Sequence, residues 1–289
     1  MTAAIDAERG DFTVEEADTQ LSDARDRAQS FEIEHRGTDP SEAIVQLAAA
    51  ERNLDRARRR ASDEGPTEPS EYVQAAVSAD IHLRDVERFV DPLDGPSIEE
   101  PLFDSLATLI EDTEGDLEAT TFERDGSQTA AYALYVDLVH RLWDMGELSD
   151  DLQTDEPATA LREVCRLQAT VTSLSALDTV VYPFDSDGDA VLDRVETRTD
   201  QLPDAKRAAV DAVAAAVTDH ADDPLATEII QQATSLIEVG DQTVDNMRST
   251  INQAETPFWV RQTVEAYANY VAAEHAAKAV EDVLAEATW

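Results

Sequence analysis

Apolar residues recur along this chain at spacings of three and four, in segments separated by proline and glycine. Val14, Ala17, Leu21, Ala24, Ala28 and Phe31 form the first stripe, the seam of a helix that packs along its length against another helix. Gly37 is expected to stop it. Asp39-Pro40-Ser41-Glu42 then supplies an N-cap, a proline at the first helical position and a returning glutamate, so a second helix is predicted there. Its stripe, Ile44, Leu47, Glu51, Leu54, Arg58 and Ala61, is interrupted by charge, which predicts a helical hairpin whose outer half stays wet. Gly65-Pro66 ends that helix. A third runs through Tyr72, Ala76, Ala79, Leu83, Val86 and Val90 until Asp91-Pro92 and Gly95-Pro96 break the chain.

The pattern that follows is more apolar. Ser97 and Glu100 make a capping box for a helix carrying Phe103, Leu106 and Ile110, and residues 115–126 read as a loop between two glycines. Ala131, Leu134, Leu138, Leu142 and Met145 predict the next helix, and a long one starts near Ala158 with Leu161, Val164, Leu167, Val171, Leu174, Leu177 and Val181 inside. Short helices are expected over 192–202 and, after Pro203, over 203–217. Asp223-Pro224 opens another through Ile229, Ala233, Leu236, Val244, Met247 and Ile251, and Thr256-Pro257 opens the last. No segment alternates with period two, so little or no sheet is expected. The predicted fold class is all-α: an antiparallel helical hairpin plus a third helix over residues 1–95, followed by a larger helical bundle over residues 96–289.

Charge changes this picture most. The 289 residues hold 63 acidic and 22 basic side chains, a formal net charge of −41, and Lys206 and Lys278 are the sole lysines. Self-repulsion of this size opposes a compact state in dilute buffer, but at molar salt the screening length falls to roughly 3 Å and the penalty largely disappears. In its interspersed acids and scarce lysine the whole chain resembles proteins of salt-accumulating haloarchaea, although it shows the marks of no identified family. Nucleic acid is a poor partner for such a surface, since binding relies on basic side chains that neutralise phosphate. Arg52, Arg56, Arg58, Arg59 and Arg60 form the one basic island, which reads as cations favourably placed in the last turn of a helix. The first twelve residues contain acids and no apolar core, and no stretch approaches the roughly 18 apolar residues of a membrane span. A cytoplasmic protein without membrane partners is therefore expected. Cys165 is the single cysteine and sits among Val164, Leu167 and Val171, where it reads as a small buried hydrophobe.

Phosphate-binding glycine loops and nucleophile elbows are missing, and no catalytic residue can be named. A carboxylate-bridged metal pair in a bundle needs two Glu-x-x-His pairs. Glu32 and His35 make one such pair, and Asp137 with His140 has the spacing with the other acid. Phe258, Trp259, Tyr267 and Tyr270 on the last helix read as core, with a recognition face as the alternative.

One segment stands apart, the twelve residues from Asp185 to Glu196. Asp185, Asp187, Asp189, Asp193 and Glu196 fall at loop positions 1, 3, 5, 9 and 12, and Val191 would offer its carbonyl at position 7. The stretch resembles the calcium loop of the EF-hand and the aspartate-rich repeats of the thrombospondin type 3 kind, which implies a Ca2+ site made by those six residues. It departs from the pattern at Ala190, where the loop's glycine normally turns, and glycine comes two residues early at Gly188. The competing reading is an acidic, solvated turn that caps the next helix. The leading expectation is a non-catalytic helical interaction or scaffold protein adapted to high salt, docking a partner or a second copy through a helix seam. A calcium-responsive module and a metal-dependent bundle enzyme are the alternatives.

Overall fold

The computed structural model describes residues 14–62, 68–119, 156–177, 188–250 and 256–289. Among them the regular elements are helices: α1 (Val14–Ser30), α2 (Pro40–Ala61), α3 (Pro69–Val90), α4 (Glu99–Ala119), α5 (Pro157–Val171), α6 (Leu174–Leu177), α7 (Gly188–Asp219), α8 (Pro224–Thr250), α9 (Thr256–Lys278) and α10 (Val280–Ala287). The fold is all-α. A single antiparallel bridge, Arg36 to Ser97, is the β-type pairing among the described residues. No described helix is long and apolar enough to cross a membrane. The chain divides into two compact units, Met1–Leu102 with Asp155–Thr159, and Phe103–Thr154 with Ala160–Trp289.

The first unit is a three-helix arrangement of α1, α2 and α3. Leu21 and Ala24 pack with Ala61, Ala76 and Ala79 at one level, and Ala28 packs with Ala50, Leu54, Leu83 and Val86 at the next. Moving from the first level to the second, α1 and α3 ascend in sequence while α2 descends, so α2 runs antiparallel to both. The N-terminal seam is thus covered within the chain: Ala17, Leu21, Ala24 and Ala28 are all buried. The predicted cap is present, with Glu42 N donating to Asp39 Oδ1 at 3.0 Å. A tight crossing fastens the end of the unit, where Ile98 N donates to His35 O at 2.9 Å and Gly37 N to Pro96 O at 3.3 Å. Gly95 adopts φ +120° there, a conformation that side chains resist.

In the second unit α7, α8 and α9 pack together. Ala209, Ala266, Tyr270 and Ala273 form one core cluster, flanked by Leu202, Ala205, Leu236, Ile237 and Val244. Leu177 of α6 joins Val264, Ala268 and Ala272 of α9 in another.

The structure corrects several expected boundaries. α4 runs through Gly115 instead of ending before it, because Leu102, Leu106, Leu109, Thr113 and Leu117 continue one buried face. That burial outweighs the roughly 1 kcal/mol a glycine costs in a helix. α7 is one helix containing Pro203, not two. Pro203 is exposed, while Leu202 and Ala205 on either side pack on the same cluster, which offsets the lost hydrogen bond. The long helix expected after Ala158 instead breaks at Thr172 and Ser173. Their hydroxyls bond back to Ala169 O at 2.7 Å and Thr170 O at 2.6 Å, competing with the helical ladder. The predicted helix around Leu134 lies outside the described residues.

Candidate functional site

The α2 stripe contains a charge that the sequence reading left wet, and the structure buries it. Glu51 occupies a core position of the stripe, one turn from Leu47 and Leu54, and its side chain has no exposure. A buried carboxylate is costly unless hydrogen bonds satisfy it. Three do so. His35 Nε2 donates to Oε1 at 3.0 Å, Ala158 N donates to Oε1 at 3.1 Å, and Thr159 N donates to Oε2 at 2.7 Å. The two amides belong to the first turn of α5, whose early N–H groups have no partner inside the helix. Glu51 therefore caps α5 from outside, and its charge sits at the positive end of that helix. Thr159 Oγ1 adds a bond to Ala48 O at 3.2 Å. All of these groups lie in the first unit.

Glu156 directly precedes α5 and is half-buried. Burial pushes its carboxyl up to about 7, repulsion from Asp55 and Glu51 adds to the rise, and Arg59 and Arg58 pull it back. Within the basic island beside it, Arg59 pairs with Asp55 and Arg58 works on a helix end. Arg58 reaches the closing carbonyls of α1, Nε to Ala28 O at 3.2 Å and Nη2 to Phe31 O at 3.3 Å. Arg25 returns the favour to α2, Nε to Ala61 O at 2.9 Å. Cations at helix C-termini are where the helix dipole favours them.

Polar groups of the second unit are also tied from helix to helix. Asp241 on α8 accepts from Lys206 Nζ of α7 at 2.7 and 2.8 Å and from the Tyr270 hydroxyl of α9 at 2.6 Å. Burial raises Asp241, but the bonds from Lys206 and Tyr270 more than offset it, leaving the carboxyl below its ordinary range. Burial first, then the bond to Asp241, pushes the Tyr270 phenol up. Gly240 lies under the Tyr270 ring, where an added Cβ would stand 2.6 Å from Cε1. Arg166 Nη2 donates to Glu228 Oε2 at 2.6 Å, joining α5 to α8. Cys165 is fully buried, and burial pushes its thiol up to about 12, so it stays protonated at neutral pH.

The predicted calcium ligands are only partly placed. Asp185 and Asp187 lie outside the described residues. Asp189, Val191, Asp193 and Glu196 fall on the backbone of α7, and their side chains are not described. Among the described residues no group of three or more His, Cys, Asp or Glu could hold a metal ion. Glu32 and His35 are not on a helix, so their spacing does not align them, and His35 turns to Glu51. Asp137 and His140 lie outside the described residues, as do the side chains of Phe258 and Trp259. Tyr270 is core, and Tyr267 packs, partly buried, against the separate cluster of Leu177, Val264, Ala268 and Ala272.

Sequence reasoning missed Glu51 and Glu156. The available signals were a carboxylate at a core position of an apolar stripe, and Glu156-Pro157, an acid followed by a proline suited to a first helical turn.

Outside the core, one exposed stripe of α3 contains no acid. Ser70, Gln74, Val77, Ile81, Arg84 and Arg88 recur at helical spacing, and no Asp or Glu is among them. Val77 is 37% and Ile81 50% exposed, and Gln74, Arg84 and Arg88 are exposed as well.

No curated protein and no solved structure matches the chain. Residues 1–97 match the family described as Domain of unknown function (DUF8262). Residues 99–288 match a second description over well more than half the chain, and the chain belongs to that family, Domain of unknown function (DUF8264).

Proposed function

We propose that this chain is a non-catalytic helical interaction protein of the cytoplasm, adapted to concentrated salt, which docks an acidic amphipathic helix of a partner protein on the outer face of α3. The observation that carries this reading is the acid-free stripe from Ser70 to Arg88. In a chain with 63 acids and 22 bases, this face holds Val77 and Ile81 at its centre and Arg84 and Arg88 at one end. Val77 and Ile81 offer the apolar anchors that a helix laid along α3 would cover, and the two arginines complement its acids. Ala17, Leu21, Ala24 and Ala28 of the N-terminal seam are buried within the chain, which favours an outer face over that seam. The polar groups described above are engaged in joining helices, which also favours a scaffold over a catalyst.

The test compares the full chain with a Val77→Glu, Ile81→Glu double variant, both immobilised in molar KCl and exposed to native cell extract. The expected result is a protein retained by the first and lost from the second. Its bound segment, resynthesised as a peptide, is an acidic helix that binds the unaltered chain. Equal retention by both overturns the reading. Self-association of the pure chain, abolished by the same substitutions, would replace the partner with a second copy.

A further inference from the structure

Pro203, Arg207, Val210, Ala214 and Val217 recur at spacings of four and three along α7, and all five are exposed. Val210 is 44% and Val217 49% exposed, each next in sequence to an alanine, Ala209 or Ala216, that is buried. The helix is thus packed on one side and open along an adjacent apolar stripe. That stripe contains no acid, since Asp204, Asp211 and Asp219 fall outside it. Charge is uneven along its length. Lys206 and Arg207 stand near its start, whereas its end is followed by Asp219, the last residue of α7, and by Asp222 and Asp223 in the turn to α8. Lys206 is held by Asp241 of α8 at 2.7 Å. Arg207 meets Asp204 at 2.8 Å, but both side chains are largely exposed, so that pair contributes little and the guanidinium can exchange partners.

We propose that the outer stripe of α7 is a self-association face, on which a second copy of this chain lays its own α7 antiparallel, Val210 of each copy against Val217 of the other. A twofold contact needs a surface that complements itself, residue i meeting j while j meets i. Val210 and Val217 are identical side chains placed evenly about Val213 and Ala214, so reversing one helix sets apolar on apolar. The same reversal brings Arg207 of each copy to the level of the other's acidic turn. A parallel pair would instead set cation beside cation and acid beside acid. Two chains of net charge −41 can meet on this stripe without carboxylate facing carboxylate. Molar salt screens the remaining repulsion beyond roughly 3 Å, leaving apolar burial to hold the pair and charges in direct contact to set its direction. The α3 stripe is not self-complementary in this way, because Ser70 and Gln74 stand at the end away from its arginines and offer no acid. One helix face per copy falls short of a permanent interface, so the pair forms and separates with concentration.

The test is sedimentation equilibrium of the full chain in molar KCl, from about 5 to about 500 μM. A monomer–dimer equilibrium is expected. Val210→Glu combined with Val217→Glu should weaken it about tenfold or more, and Val77→Glu combined with Ile81→Glu should leave it unchanged. All four positions are exposed, so circular dichroism should show the helicity of the unaltered chain in both variants. Crosslinking reads the direction. A mixture of Val210→Cys and Val217→Cys chains should form disulfides between copies faster than either variant alone, while the buried Cys165 stays silent. A monomer throughout, a dimer that survives the two α7 substitutions, or Val210→Cys chains that crosslink fastest to one another would each overturn the proposal.

Discussion

Thr159 donates its backbone amide to Glu51 Oε2 at 2.7 Å, across 108 positions of sequence, so a carboxylate in the middle of one helix caps the start of another. Removing that acceptor leaves His35 and the amides of Ala158 and Thr159 unsatisfied in a buried place. Glu51→Ala should lower the unfolding free energy by about 3 kcal/mol, and Glu51→Gln, which keeps one acceptor oxygen, by about half as much. Urea denaturation in molar KCl measures both. A change within about 0.5 kcal/mol for Glu51→Ala would mean that the cap contributes nothing.

Two helical glycines should answer the same substitution with opposite signs. A Cβ on Gly115 meets nothing within 4 Å, so Gly115→Ala should stabilise by up to about 1 kcal/mol. A Cβ on Gly240 would stand 2.6 Å from a buried ring that Asp241 holds in place, so Gly240→Ala should destabilise by about 1–3 kcal/mol despite the better helix propensity. Melting temperatures of the two variants check the pair.

Asp241 supplies a pH dependence of its own. Its carboxyl lies below the ordinary 3.8, so its contribution is complete above that value and is lost as pH falls through the lower, folded one. Asp241→Asn should be less stable than the unaltered chain at neutral pH, and the gap should close on acidification below about pH 4. Melts of both proteins across that range would show it. A gap that stays constant would assign the loss to the hydrogen bonds alone.

The helical class and several helix starts were legible because they rest on local chemistry. Asp39 caps α2 as its motif predicts, and Asp223 Oδ1 accepts from Ala226 N at 2.9 Å at the start of α8. Local rules failed where distant burial outweighed them. Gly115 and Pro203 looked like breaks, yet both lie inside helices whose apolar faces continue past them. Glu51 looked like a solvated interruption because its partners, His35 and the α5 amides, are brought to it only by tertiary structure. The outer stripe of α3 was equally hidden, since the sequence reading followed the buried residues of that helix and not those on its far side.

With a net charge of −41, folding itself should depend on salt. Strong helical circular dichroism is expected in molar KCl, with substantial loss below about 0.2 M, where the screening length grows towards about 8 Å. Helicity and melting temperature that do not change over this range would contradict adaptation to concentrated salt.

Docking on the outer face of α3 is tested most directly by hydroxyl-radical footprinting of the full chain, alone and with the partner captured from native extract, in molar KCl. Val77 and Ile81 should lose reactivity in the complex, while the equally exposed Val210, Val217 and Val239 of the second unit keep theirs. Unchanged reactivity at Val77 and Ile81, with protection elsewhere, would contradict the assignment of α3 as the docking face.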